Sequence, residues 1–221
     1  MTRTLRFIVV CSYVLLVLAP ATAQTTLDKR QPRLMTAYKW AGLTENQRDI
    51  YVKGFLETLS FGLYSRSRPG NEHDAAIVSD WTACAERTPR SSWQTFDWSL
   101  RGETEKTVAA QFYDVASLIC KDVAGKGDKT LRPVWLLKQQ EWKRLSLHDR
   151  AIYLMAYTET AFAMNQRMKD SAAERDLDIC IASAGIEGLI SSMEQTSIEW
   201  QYPLPWSVSR AVGATCKRSK Q

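Results

Sequence analysis

The chain has 221 residues, of which 45% are hydrophobic and 24% charged, with a formal net charge of +5 at pH 7. This mild positive charge is not organised into a basic stripe interleaved with aromatic residues, which argues against a nucleic-acid partner. Eight tryptophans supply apolar bulk for a core, and apolar residues recur mostly at helical spacing. We therefore expect an all-α protein.

Residues 1–23 have the pattern of a secretory signal peptide. Arg3 and Arg6 precede an apolar run that is too short to span a bilayer comfortably, and an A-x-A cleavage site ends at Ala23. A membrane anchor is the alternative interpretation. We predict a periplasmic or secreted mature chain of 24–221 without stable membrane insertion, because no later segment is apolar enough for a span.

The predicted helices of the mature chain fall into two groups. In the first group they lie near 44–66, 73–87 and 104–122, and in the second near 134–143, 146–169, 172–199 and 205–217. The segment between the groups is rich in glycine and lysine and ends in proline, as expected of a linker.

The second half of the sequence repeats the first at a shift of 102 residues. Nine of the 29 positions in 30–58 are identical to their counterparts in 132–160, where average residue usage would give about two. Thr44 and Ser146 are matched N-cap residues, each with a capping-box residue three positions on. The predicted organisation is a signal peptide (1–23), a first repeat (24–124), a linker (125–133), a second repeat (134–217) and a tail (218–221). We expect three to four helices in each repeat, and the two repeats to pack as a pseudo-dimer.

The four cysteines of the mature chain extend the repeat. Cys84 precedes Cys120 by 36 residues, and Cys180 precedes Cys216 by the same number. Of the connectivities that four cysteines allow, the repeat selects Cys84–Cys120 and Cys180–Cys216. Each closed loop is worth about 4 kcal/mol in the chain-entropy model. A zinc site is the alternative, but the spacing is not that of CxxC sites and export favours oxidation.

Two glutamates interrupt an apolar helix face. Glu57 follows Ile50 by seven residues and Gly54 by three, and precedes Phe61 by four; Glu159 has the same spacing in the second repeat. An unpaired carboxylate there would be costly to bury. Each glutamate is therefore a buried tether to a Tyr hydroxyl, an Arg or a Trp N–H in the same repeat, a polar anchor in a binding cleft, or a general acid. Its presence in both repeats favours the tether.

Two further polar residue types recur with the glutamates. Tyr51 and Tyr153 are predicted to be core tyrosines with bonded hydroxyls. Arg48 and Arg150 lie in the first turn of their helices, where a cation does not complement the helix dipole, so we expect an ion pair or a surface contact. Together with the glutamates, these residues are the predicted signature of the repeat and the candidate binding residues.

The sequence contains no recognised catalytic or cofactor-binding motif. The two histidines, His73 and His148, are not in metal-ligand spacing, and HExxH, GxSxG, P-loop and GxGxxG motifs are absent. We therefore predict a non-enzymatic protein with no catalytic residue, metal or cofactor. A cell-wall hydrolase that uses Glu57 or Glu159 is the enzymatic alternative.

Tyr51–Phe55 (YVKGF) has the pattern aromatic-x-x-Gly-aromatic and is followed by Cys84 and Cys120, and 153–157 (YLMAY) is a looser second match followed by Cys180 and Cys216. In these features the repeats resemble the Rap/Tai immunity proteins, which neutralise type VI secretion amidase toxins. The chain lacks the Cys-Pro and Pro-Cys pairs of the family, so only the disulfide and the helical fold are carried over.

The resemblance implies a partner that is another exported protein, either a toxin or a client. Our first functional hypothesis is an exported binding protein of the immunity type that sequesters such a partner in the periplasm. The alternative is a periplasmic stress protein or chaperone, since small helical disulfide domains can expose apolar surface at low pH.

Overall fold

The structure is a computed structural model, which describes residues 35–94, 107–123, 132–167, 171–195 and 203–218. The predicted signal peptide, most of the predicted linker and the last three residues lie outside these ranges. Within the ranges the chain folds into helices and loops without strands, which confirms the all-α prediction. We refer to 35–123 as the N-terminal half and to 132–218 as the C-terminal half.

Nine helices lie in the described ranges. In the N-terminal half they are α1 (Ala37–Ala41), α2 (Glu45–Arg66), α3 (Glu72–Arg87), α4 (Arg90–Gln94) and α5 (Val108–Ile119). In the C-terminal half they are α6 (Gln139–Arg144), α7 (Leu147–Arg167), α8 (Ser171–Gln195) and α9 (Leu204–Arg218). The short helices α1 and α4 were not expected. None of these nine helices combines the length and the apolar character that crossing a bilayer requires.

The two central helices, α2 and α7, begin at matched polar caps. At α2 the Thr44 hydroxyl accepts from the Gln47 N–H at 3.3 Å, and the Gln47 side chain accepts from the Thr44 N–H at 3.0 Å. At α7 the Ser146 hydroxyl accepts from the Asp149 N–H at 3.1 Å and donates to the Asp149 carboxylate at 2.8 Å. These bonds satisfy N–H groups that have no partner within the helix. Both helices therefore begin where the sequence predicts.

The prediction of a helix over 134–143 is wrong in its first part. Helix α6 begins only at Gln139, and the strap (132–138) that precedes it has no helical conformation. One strap N–H donates to the Ser60 hydroxyl at 3.0 Å, and two more donate to the Glu57 carboxylate. These side chains of α2 bind N–H groups of the strap, so the strap is held against α2 without forming a helix.

Helices α2 and α7 approach each other closely along a line that we refer to as the seam. A Cβ added at Gly54 would lie 2.9 Å from both the Ala156 Cβ and the Tyr153 carbonyl oxygen, and one added at Gly62 would lie 2.7 Å from the Met164 Cε. Because the second contact follows the first by the same number of residues in both helices, α2 and α7 run in the same direction.

The remaining helices cover this pair and enclose a shared core. Helix α5 of the N-terminal half packs against α7, and α9 of the C-terminal half packs against α2, so the halves are interleaved. The buried apolar side chains of both halves form one continuous cluster. Its largest fully buried members include Tyr51, Phe55, Trp93 and Phe112 from the N-terminal half, and Tyr153, Leu154, Met164 and Met193 from the C-terminal half.

A disulfide between Cys84 and Cys120 ties α3 to the end of α5, which confirms the first predicted pair. The two Cα atoms are 5.2 Å apart, and the bond spans 36 residues of sequence. Constraining the unfolded chain in this way contributes about 4 kcal/mol in the chain-entropy model. The second predicted pair, Cys180 with Cys216, stays a prediction, because the Cys216 side chain is outside the described residues. Cys180 is buried.

We expect Gly54→Ala to lower the free energy of unfolding by about 2 kcal/mol, because the new methyl group would overlap the backbone of α7. The matched control is Gly213→Ala in α9, where an added Cβ meets nothing within 4 Å. There the higher helix propensity of alanine should raise the free energy of unfolding by up to about 1 kcal/mol. Urea denaturation followed by tryptophan fluorescence measures both changes, and equal effects would contradict the close approach at the seam.

Candidate functional site

Glu57 is a fully buried carboxylate that binds groups of the other half. Its Oε1 accepts hydrogen bonds from the N–H of Leu137, at 2.7 Å, and from the N–H of Leu136. Its Oε2 accepts from the hydroxyl of Tyr153. The side chain has 0% exposure. All three donors belong to the C-terminal half, two on the strap and one on α7.

Glu159 occupies the corresponding environment on α7. Its Oε1 accepts from the N–H of Met35 and its Oε2 accepts from the hydroxyl of Tyr51, while the residue is 4% exposed. The Tyr51 hydroxyl in turn accepts from the N–H of Ala109 in the first turn of α5. Both donors to this carboxylate therefore come from the N-terminal half, and α5 supports one of them.

The two sites correspond position by position at a shift of 102 residues. The matched pairs are Met35 and Leu137, Tyr51 and Tyr153, and Glu57 and Glu159. In each site the glutamate of one half binds the tyrosine of the other, so the contacts are reciprocal.

The prediction that each glutamate binds a group in its own repeat is therefore wrong. The partner is indeed a tyrosine hydroxyl, but it belongs to the other half. Tyr51 and Glu57 are six residues apart on α2, and on a helix only residues three or four apart are close neighbours. The parallel course of α2 and α7 instead brings the tyrosine of each helix to the glutamate of the other.

Burial raises the pKa of both carboxyl groups, to about 7 for Glu57 and about 8 for Glu159. Loss of hydration disfavours the charged form, and the hydrogen bonds that the carboxylates accept oppose this effect. Glu57 accepts from two strap N–H groups, whereas Glu159 accepts from the single N–H of Met35. The additional donor favours the charged form at Glu57.

Burial also raises the pKa of the Tyr51 and Tyr153 hydroxyls well above the usual value near 10, and the adjacent carboxylates add to the rise. A negative charge next to a tyrosine makes loss of its proton less favourable. Both hydroxyls therefore remain donors through neutral and mildly alkaline pH.

A tryptophan holds each of these tyrosine rings. The ring centroids of Trp40 and Tyr51 are 5.6 Å apart at an interplanar angle of 71°, and those of Trp142 and Tyr153 are 5.7 Å apart at 74°. Edge-to-face geometry of this kind is favourable for aromatic pairs. Phe112 of α5 completes the first cluster, 5.5 Å from Trp40. The hydroxyls are thus aimed by packing of their rings.

Arg48 and Arg150 support the same tryptophans. Arg48 donates to a carbonyl at the end of α1 at 2.9 Å, and its Cζ lies 5.7 Å from the Trp40 ring centroid. Arg150 donates to a carbonyl near the end of α6 at 3.0 Å, and its Cζ lies 5.5 Å from the Trp142 centroid. Arg150 also forms the expected ion pair, with Glu194 at 2.5 Å. Both cations thus complement the negative end of the preceding short helix.

The polar contacts of the strap are the feature that sequence reasoning missed. The Arg132 guanidinium binds the Glu86 carboxylate through two bonds of 2.7 and 3.0 Å, and the Arg132 carbonyl accepts from the Thr82 hydroxyl at 3.0 Å. With the bond to Ser60, the strap is attached to both α2 and α3. The sequence signal that could have indicated these contacts is that Arg132 and Arg30 occupy matched positions of the repeat, upstream of the repeated helix.

The geometry of the glutamates is that of tethers. A general acid or base must come within hydrogen-bond reach of its substrate, whereas both glutamates are buried and each of their oxygens accepts a bond from the chain itself. His73 and His148 are exposed. Among the described residues, no group of three or more His, Cys, Asp and Glu side chains is placed to hold a metal ion.

No known protein family, curated protein or solved structure matches this chain. The likeness to the Rap/Tai immunity proteins therefore rests on the short motifs of the sequence. The contacts between the two halves are the principal structural basis for a functional assignment.

We expect Tyr153→Phe to lower the free energy of unfolding by about 1–2 kcal/mol, because it removes a buried donor and keeps the ring. In a double-mutant cycle with Glu57→Gln, the coupling energy should reach about 1 kcal/mol. The control cycle combines Tyr153→Phe with Glu159→Gln on the same helix. The effects of these two substitutions on the free energy of unfolding should add within about 0.5 kcal/mol. Urea denaturation supplies all the values. Equal coupling in the two cycles would contradict the pairing across the halves.

Proposed function

We propose that this is an exported, non-enzymatic protein that binds another exported protein, and that its fold consists of two tandem copies of one helical unit. The observation that carries the proposal is the burial of Glu57 and Glu159 in reciprocal contacts. The residues best suited to chemistry are occupied in joining the two halves, which leaves the surface of the molecule for function.

The matched contacts at a shift of 102 residues support the tandem copies. Caps, arginine–tryptophan contacts, tryptophan–tyrosine contacts and glutamate–tyrosine bonds all recur. Reciprocity is the property of a twofold interface, in which residue i contacts j and the copy of j contacts the copy of i. The chain thus has the contacts of a dimer within one polypeptide, in line with repeats over 24–124 and 134–217.

An exchange of seam residues tests this symmetry. Gly62→Met should overlap Met164, and Met164→Gly should leave a cavity, so each should lower the free energy of unfolding by about 2–4 kcal/mol. In the double variant the two residues have exchanged places across the seam, and we expect at least half of the combined loss to be recovered. Gly62→Met with Ala163→Gly, next to the opposing position, is the control and should show no recovery. Urea denaturation measures the free energy of unfolding of each variant. If the exchange recovers none of the lost free energy, the result would count against the tandem copies.

The burial of the glutamates counts against the hydrolase alternative. Glu57→Gln and Glu159→Gln keep the shape of each side chain and one of its two acceptor oxygens, while the tyrosine hydroxyl can turn to accept from the new amide. A folded double variant should therefore retain biological function. Loss of a hydrolytic activity in the folded double variant, measured on cell-wall fragments, would favour the hydrolase.

The raised pKa values count against an acid-activated chaperone. A carboxyl group whose pKa in the folded protein exceeds its unfolded value near 4.5 stabilises the fold increasingly as the pH falls. Acid therefore strengthens the contacts of Glu57 and Glu159 between the halves. A chaperone that opens in acid needs a different trigger.

Export is supported by the disulfide between Cys84 and Cys120. Structural disulfides persist in the periplasm and outside the cell, and are rare in a reducing cytosol. This bond, with the pattern of 1–23, supports a periplasmic or secreted location.

Exposed apolar side chains support a protein partner. The large ones that are between 37% and 68% exposed are Tyr64, Ile77, Leu118, Trp135 and Leu147. Tyrosine and tryptophan contribute most to binding energy in protein interfaces. The Trp135 indole N–H donates to the Leu137 carbonyl at 3.1 Å, so the strap presents this ring in a fixed orientation. The proposed partner is another exported protein, either a toxin or a client.

Binding measurements with the protein purified from the periplasm test the proposal. A tagged chain should form a stoichiometric complex with an exported protein, which is then purified and titrated back. Trp135→Ser should weaken this complex by about tenfold or more, Trp135→Phe should weaken it less because it keeps an aromatic ring, and the glutamine double variant should bind like the wild type. Recovery of no partner, together with no protection against amidase toxins, would contradict the proposal.

A further inference from the structure

Among the described residues, no cation contacts either buried carboxylate, so neither Glu57 nor Glu159 forms an ion pair there. Lys53 and Lys39 act on Glu57 and Glu159, respectively, from a distance, and Lys53 itself pairs with Asp49 at 2.9 Å. Ionisation of either glutamate therefore places a negative charge in the core whose direct partners are neutral donors.

The groups that contact these carboxylates are the Tyr51 and Tyr153 hydroxyls, whose pKa is raised well above 10 by burial, and the N–H groups of Met35, Leu136 and Leu137. Beyond them lie the N–H of Ala109 on α5, which bonds Tyr51, Tyr157 on α7, which acts on Tyr153, and Arg66 and Ser209, which act on Tyr157. Burial raises the pKa of Tyr157 to about 12. Among the described groups here whose pKa is shifted, the glutamates have pKa values between 5 and 9.

We propose that the two glutamate–tyrosine contacts form a pH-sensitive clasp between the halves, tightest in acid and loosened in mildly alkaline solution. Each contact joins α2 to α7, and each also holds an N–H of the segment that leads into the opposite half. A charge on both carboxylates therefore weakens the attachment of both halves at once. The clasp is independent of the binding partner and of the proposed function.

The direction of the pH effect follows from the number of protons that the closed and open forms bind. In an open or unfolded chain the glutamates ionise near 4.5, whereas in the closed clasp they ionise at about 7 and about 8. As the pH rises between these values, each glutamate lowers the ratio of closed to open forms by up to about tenfold per pH unit. Above about pH 8 both forms are ionised, and the ratio becomes constant.

Hydrogen exchange of the full chain, followed by mass spectrometry, measures the opening directly. The reporting N–H groups are those of Met35, Leu136 and Leu137, which donate to the carboxylates. After correction for the intrinsic effect of pH on exchange, their protection should fall by about a hundredfold or more from pH 5 to pH 9 in the wild type. In the Glu57→Gln, Glu159→Gln variant it should stay nearly constant. A constant protection in the wild type, or the same fall in the variant, would overturn the proposal.

Two further variants keep the test decisive if the glutamine variant does not fold. Tyr51→Phe with Tyr153→Phe removes donors that lower the pKa of each carboxyl group, so the midpoint of the loss of protection should move to higher pH. Weaker protection at every pH with an unchanged midpoint would indicate a merely structural role and would refute the clasp. Glu194→Gln alters an exposed ion pair with Arg150 and should leave the profile as in the wild type; a changed profile would likewise refute it.

Discussion

The burial of two carboxylates with no contacting cation among the described residues is the constraint on which this fold depends. A buried carboxylate needs several hydrogen-bond donors, and the chain supplies them to Glu57 and Glu159 from the opposite half in each case. Separation of the halves would remove the donors and expose the shared core at the same time. The two halves are therefore held together by polar contacts as well as by apolar packing.

The same need for donors explains several other features. The strap does not form a helix because its N–H groups bind the carboxylate of Glu57 and the hydroxyl of Ser60. Helices α2 and α7 run in the same direction and lie close together at Gly54, which brings each tyrosine to the opposite glutamate. The tryptophans and the arginines that stack on them then fix the tyrosine rings. The arginines at the helix ends, the packing of α2 against α7 and the buried carboxylates thus belong to one set of contacts.

Local signals in the sequence were sufficient for the long helices and for their caps at Thr44 and Ser146, and the repeat was sufficient for the disulfide between Cys84 and Cys120. The repeat also indicated that the glutamates and tyrosines belong together. It did not indicate that they pair across the halves, because periodicity assigns a residue to a face of its own helix and says nothing about the neighbouring helix. The helix expected from 134 failed for a similar reason, since long-range acceptors on α2 bind the N–H groups of the strap.

The two sides of the seam differ in shape, although the glutamates and tyrosines on them are the same. Gly62 on α2 leaves a hollow that Met164 of α7 fills. Two chains that met through identical helices would set one methionine against another, or one hollow against another, and both arrangements pack poorly. Helix α2 of this chain therefore fits its own α7 better than either helix fits a second copy of itself. Such a difference in shape favours contact between unlike halves over contact between like halves.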